Sequence, residues 1–249
     1  MTGNRYALLD ALRGASLLSM AGFHLAWDLI HLCGWTWLLA HASALYLWQQ
    51  SICWSFIFLS GFSWPLGRRP LRRGAEVFFC GAAVTASTLC FMPGAPILFG
   101  ILTFLGSAML LLAPLSLLLR RAPPAAGLAG SLLLFVLVRG VNEGALGFPP
   151  FFTIAGLPGS WYANLLTAYL GFPPADFVSL DYFSLVPWIF LYGAGFFTHR
   201  LAAARGRLAL LARPAPAWLA RVGRHSLLFY LLHQPVLLAA LFLLRVPGR

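Results

Sequence analysis

Five ionisable residues near the start of the chain fall on one helical face. Asp10, Arg13, His24, Asp28 and His31 lie within about 60° of one another on a wheel that turns 100° per residue. Arg13 and His24 are eleven residues apart, roughly 16 Å along a helix axis. The surrounding residues are apolar. A charge at the centre of a bilayer costs at least about 2.5–3.5 kcal/mol, so such residues usually face a polar interior. His24 and Asp28 are i, i+4 neighbours. A carboxylate in that position fixes the imidazole tautomer and raises its basicity, which a general base requires. The packing alternative makes Asp10 and Arg13 an anchor at one end of the helix, with Asp28 and His31 reaching the opposite interface. His24 resists that reading most, because it lies inside the boundary with a carboxylate one turn away.

The last apolar segment carries a second set, within Gly223-Arg-His-Ser-Leu-Leu-Phe-Tyr-Leu-Leu-His-Gln-Pro235. Ser226, Tyr230 and His233 share a face at i, i+4, i+7. Pro235 has no N–H and frees the carbonyl of Leu231, for which His233 and Gln234 are the nearby donors. A Ser226–His233 dyad would need direct contact, and seven residues separate them by about 10 Å. The set therefore reads as pocket lining or bundle packing. Asp181 stands just ahead of Leu185-Val-Pro-Trp188 and is placed to cap the helix that follows. Arg68, Arg69, Arg72 and Arg73 could hold the phosphates of a nucleotide-like cofactor, although loop charge alone also explains them.

These residues need membrane helices to position them. The chain has 249 residues, of which 60% are hydrophobic and 9% charged, against about 25% charged in an ordinary soluble domain. Seven spans are the economical reading: Ala7–Ile30, Ser43–Pro65, Ala75–Met92, Ile97–Leu119, Ala125–Val141, Ser184–Ala204 and Ser226–Leu244. The expected fold is an all-α transmembrane bundle forming one domain over residues 1–249, without internal repeats. Ala40-His41-Ala42 mimics a signal-peptide cleavage site, but the segment before it is too long and too charged for an h-region. It reads as a retained helix.

The net charge of +11 comes from arginine alone, since lysine is absent. Basic proteins can bind nucleic acid, but here the charge follows the loops. With the N-terminus inside, 13 arginines fall in cytoplasmic segments, three (Arg139, Arg245, Arg249) fall outside, and Arg13 lies in the first span. Positive charge accumulates on the cytoplasmic side, so the expected topology is N-in and C-out. The long outer segment from Asn142 to Asp181 suits a lid or an interfacial belt, with Trp161–Leu170 as an interfacial or re-entrant helix. Four cysteines show no metal-ligand spacing, so no metal is expected. Whether Cys33 and Cys90 pair is left open.

Several of these motifs occur together in a known family. Leu9-Asp-Ala-Leu-Arg-Gly14, Phe23-His-Leu-Ala-Trp-Asp28, Ser60-Gly61, Phe99-Gly-Ile-Leu102, Leu105-Gly106, Asp181-Tyr-Phe-Ser-Leu-Val-Pro-Trp188 and Gly223-Arg-His-Ser-Leu-Leu through His233-Gln-Pro235 follow one another in the family's order. On these residues the chain resembles the bacterial branch of the heparan-alpha-glucosaminide N-acetyltransferase catalytic-domain family. Arg13 and His24 also resemble the Arg-x10-His element of the wider membrane acyltransferase superfamily.

The resemblance implies transfer of an acetyl or other short acyl group from acyl-CoA to a hydroxyl or amine. A glycan or cell-envelope component of the bacterial inner membrane is the implied acceptor. It makes acetyl-CoA the co-substrate and a histidine the base or transient acyl carrier. The superfamily element points to His24. The family's His-Ala-Ser context points instead to His41-Ala42-Ser43. Arg13 and the Arg68–Arg73 cluster would contact the coenzyme, while Asp10, Asp181, Ser226, Tyr230, His233 and Gln234 would line the substrate pocket. Implied partners are the lipid bilayer, acyl-CoA and the acceptor. Nucleic acid is not expected, and a homo-oligomer stays open. The luminal domain and extra spans of the animal enzyme have no counterpart here, so heparan is not carried over as substrate. A proton-coupled transporter or flippase is the rival from another class, since His/Asp stripes also mark proton relays. A non-catalytic scaffold subunit is the third reading.

Overall fold

The apolar runs fold as helices in the computed structural model, which describes residues 6–244. Their order is α1 (Ala7–His31), α2 (Ala42–Ser63), α3 (Pro70–Phe91), α4 (Ile101–Leu119), α5 (Pro124–Leu137), a β-hairpin, α6 (Leu165–Leu170), α7 (Trp188–Ala204), α8 (Ala217–Arg224) and α9 (Ser226–Leu243). Four helical segments are long and apolar enough to cross a membrane: Pro70–Phe91, Ile101–Leu119, Pro124–Glu143 and Ser226–Leu243. Large apolar side chains such as Phe79, Phe91 and Phe242 stand exposed on them, as lipid-facing residues do. α3 begins five residues earlier than the expected span, at Pro70. A proline suits the first helical turn, where its missing N–H is not needed. Arg72 and Arg73 therefore belong to the helix rather than to the loop before it.

The described residues pack as two compact units. One comprises those up to Leu59 together with those from Ala203 onward; the other is Ser60–Ala202. In the first unit, Leu17, Met20 and Ile52 form a core surrounded by Phe23, Trp48, Phe56, Val222, Phe229 and Tyr230. The Trp48 indole N–H donates to Ser19 Oγ at 2.8 Å, tying α2 to α1.

α8 was not anticipated from the sequence, where its residues read as a basic loop. It is short, with Arg221 and Arg224 in its last turn and Ala220 and Gly223 buried. It packs on α1 at backbone contact. A Cβ on Gly14 would lie 2.1 Å from the Leu219 carbonyl oxygen, and one on Gly223 would lie 1.8 Å from that of Asp10. Glycine at both positions is thus a condition of the packing.

The second unit is built around α4, the most buried of the candidate spans. Both of its ends are tied. The Ile101 N–H donates to Asp181 Oδ2 at 3.0 Å, so Asp181 caps α4, whereas its sequence position suggested the following helix α7. Gly100 makes room for it, since a Cβ there would lie 2.9 Å from that oxygen. At the other end, Arg200 donates to the carbonyls of Leu119, Ala122 and Arg120 at 2.8, 2.9 and 2.9 Å. These groups lack helical donors, and both charges complement the helix dipole.

The long segment between α5 and α7 corrects the all-α expectation. Strands β1 (Ala145–Phe148) and β2 (Phe152–Gly156) pair antiparallel, with an irregularity at Leu146/Gly147. Phe148 before Pro149-Pro150 and Phe152-Thr-Ile154 after it supply the aromatic and β-branched residues that favour strands. Only Leu165–Leu170 of the expected Trp161–Leu170 helix is α-helical, capped by a reciprocal Asn164–Thr167 box. The segment is stitched down by Asn142, whose amide donates to the Gly171 carbonyl and Ser184 Oγ. The phenols of Tyr162 and Tyr182 donate to the carbonyls of Val141 and Ala168. All four cysteines are free thiols. Arg5, Arg245 and Arg249, which entered the topology reading, lie outside the described residues.

Candidate functional site

The first unit brings the two sequence clusters together. α1 and α9 pack against each other, and the rings of His24 and His233 meet with centroids 4.9 Å apart and planes inclined by 58°. One turn further along α1, Asp28 is only 4% exposed. Both of its carboxylate oxygens accept from Gln234 Nε2, each at 3.0 Å. Asp28 and Gln234 are 206 residues apart in sequence, so nothing local in the chain announces the pair.

This arrangement departs from the expected His24–Asp28 couple. The carboxylate engages Gln234, and among the described residues no hydrogen bond joins it to His24. Gln234 is therefore the residue that fixes Asp28, a role the sequence reading missed. His233 also behaves otherwise than expected. Its Nδ1 lies 2.5 Å from the Tyr230 carbonyl oxygen, not at Leu231, whose carbonyl Pro235 frees. A carbonyl only accepts, so Nδ1 carries the proton and Nε2 presents a lone pair. That Nε2 is buried without a partner among the described residues, as is Gln234 Oε1.

The remaining sequence candidates separate into groups. Tyr230 flanks His233 at 5.4 Å between ring centroids and packs against Phe56. The Ser226 hydroxyl donates to the Gly223 carbonyl, which leaves no Ser–His dyad. Asp10 pairs with Arg13 at 3.2 Å near the start of α1. His31 is exposed, with its ring 4.1 Å from that of Trp27. His41 is exposed at the end of a 3-10 turn, Thr36–His41. Asp181 and the arginines at positions 68, 69, 72 and 73 belong to the second unit. There Asp181 caps α4, while the arginines are exposed around the start of α3 and Arg72 pairs with Glu76 at 2.8 Å. Among the described residues no group of His, Cys, Asp and Glu is placed to hold a metal ion.

The family model described as heparan-alpha-glucosaminide N-acetyltransferase, catalytic, matches residues 5–235. The chain belongs to this family. The matched region includes both halves of the cluster, with His24 and Asp28 near its beginning and His233 and Gln234 at its end. No curated protein and no solved structure matches the chain. Membership in this acetyltransferase family gives the histidine pair a chemical context, because transfer to an N–H or O–H nucleophile requires a group that accepts a proton.

Proposed function

We propose that the chain is a membrane-embedded acyltransferase that moves an acetyl or other short acyl group from acyl-CoA to a hydroxyl or amine. The acceptor we favour is a glycan or another cell-envelope component of the bacterial inner membrane. The observation that carries this reading is the joined cluster of His24, His233, Asp28 and Gln234. Two imidazoles and a buried carboxylate meet where the predominantly apolar helices α1 and α9 pack, and ionisable groups in membrane helices are costly and usually functional.

In this reading the cluster activates the acceptor, with His24 as the residue singled out by its spacing from Arg13. The exposed arginines around the start of α3 are proposed to meet coenzyme phosphates through charge-assisted hydrogen bonds; Arg13 is a separate candidate for such a contact within the first unit. We further propose seven spans with the N-terminus inside and the C-terminus outside. The arginine asymmetry supports this topology.

The deciding experiment presents purified protein in nanodiscs with labelled acetyl-CoA and extracted envelope glycans. Label should pass to an acceptor, and His24→Ala should lower the rate at least tenfold while the exposed His41→Ala should not. Wild type without transfer, or full activity in both variants, overturns the proposal. The same cluster would also serve a proton relay. Uptake into proteoliposomes driven by a pH gradient, without acyl product, would establish that alternative.

A further inference from the structure

The two histidines of the cluster are not equivalent, and we infer that His233 is the base whose Nε2 receives the acceptor's proton. The inference rests on the acyltransferase reading above. Its first support is the tautomer. His233 Nδ1 donates to the Tyr230 carbonyl, which leaves Nε2 as the basic nitrogen. The donor to this carbonyl is a side chain from the same helix, so the ring is oriented by α9 itself.

The second support is what surrounds the lone pair. His233 Nε2 and, on the next residue, Gln234 Oε1 are both buried acceptors with no donor among the described residues. Buried acceptors are almost always paired, and lipid supplies no donor in their place. Gln234 cannot rotate to offer its amide N–H instead, because that group is held by both oxygens of Asp28. Exchanging its O and N would set oxygen against carboxylate. His233 Nε2 can thus accept from a neutral N–H or O–H group, which is what an acyl acceptor brings, and Gln234 Oε1 is a second buried acceptor on the same helix. The His24 ring packs beside His233 and positions it.

The step balances without a further reactant. The acceptor's X–H proton moves to His233 Nε2 as X bonds to the thioester carbonyl carbon. The C–S bond then breaks, and the CoA thiolate takes the proton back from Nε2. The sum is R–XH plus acetyl-SCoA giving R–X-acetyl plus CoASH. Asp28 and Gln234 are positioning residues: their hydrogen bonds tie α1 to α9 one turn from the histidine pair.

The test uses full-length protein in nanodiscs, with acetyl-CoA as donor and hydroxylamine as acceptor probe. Acetohydroxamate formation is corrected for the uncatalysed reaction. His233→Ala should lower turnover by about 10² or more, the usual worth of a general base, with partial rescue by added imidazole. His233→Asn keeps an N–H for the Tyr230 carbonyl but lacks a basic nitrogen, so it should fold normally and be equally slow. Nitrogen-15 spectra of histidine-labelled wild type, assigned by subtraction of His233→Asn, should show the proton on Nδ1. A proton on Nε2 overturns the assignment. So does turnover in His233→Asn within threefold of wild type while wild type transfers, a result that leaves the acyltransferase reading intact. Wild type without transfer overturns both.

Discussion

Asp28 and Gln234 meet across 206 residues of sequence, and the Gln234 amide N–H groups satisfy both oxygens of the buried carboxylate. Gln234→Leu should strand the carboxylate and lower stability by about 1.5–3 kcal/mol, the range for hydrogen bonds to charged groups. The double variant Asp28→Leu/Gln234→Leu should recover much of that loss, since removing both partners is far cheaper than removing one. Thermal unfolding in one detergent across the four proteins of the cycle measures the coupling; additive effects would show that the two side chains act independently. The ionisable stripe of α1 was legible because helix periodicity is local and charge in lipid is expensive. The identity of the group facing Asp28 was not legible. A glutamine followed by a proline in a distant helix carries no local mark of its partner. The same gap hid Asp181's true role, since a cap can serve any helix end that tertiary packing brings to it, and here that helix is α4.

At the scale of elements, the contact between α1 and α8 depends on two hydrogen atoms where other residues have Cβ. Gly14→Ala or Gly223→Ala should destabilise the first unit by about 1–3 kcal/mol or more, as overpacking does; melting temperatures unchanged from wild type would contradict the close approach. The long segment between α5 and α7 makes a different prediction. Burial pushes the Tyr182 phenol up to about 12 and raises that of Tyr162. Folded-state values above the unfolded value of about 10 mean that the folded form holds these protons more tightly. Their stabilising contribution is complete below about pH 10 and is lost as the pH climbs through the folded value. Phenolate absorbance should therefore show a late-titrating component that Tyr182→Phe removes. Helix positions were readable from apolar run length, within a few residues at most ends. The hairpin and α8 were not: short elements contain too few turns of any period to stand out from a loop.

For the whole molecule, the arginine distribution predicts sidedness. An alkaline phosphatase fusion after Leu244 should be active in a bacterial host, and one placed at Arg121 inactive; the reverse pattern would invert the topology. Apolar composition gave the membrane class directly, whereas span number is harder, because four segments of the described residues meet both length and apolarity, and α1, with its ionisable stripe, is not one of them. The glycine contact between α1 and α8 bears on this larger scale too. From Gly14 to His24 is ten residues of unbroken helix, about 15 Å, and from Gly223 to His233 is also ten, across the α8–α9 junction at His225. The two arms run in the same direction from a common pivot and end at facing rings. The chain thus gauges its paired histidines from one internal benchmark. Lengthening the α1 arm by a single residue would turn His24 away by about 100°, while loops elsewhere could change length and leave the pair in register.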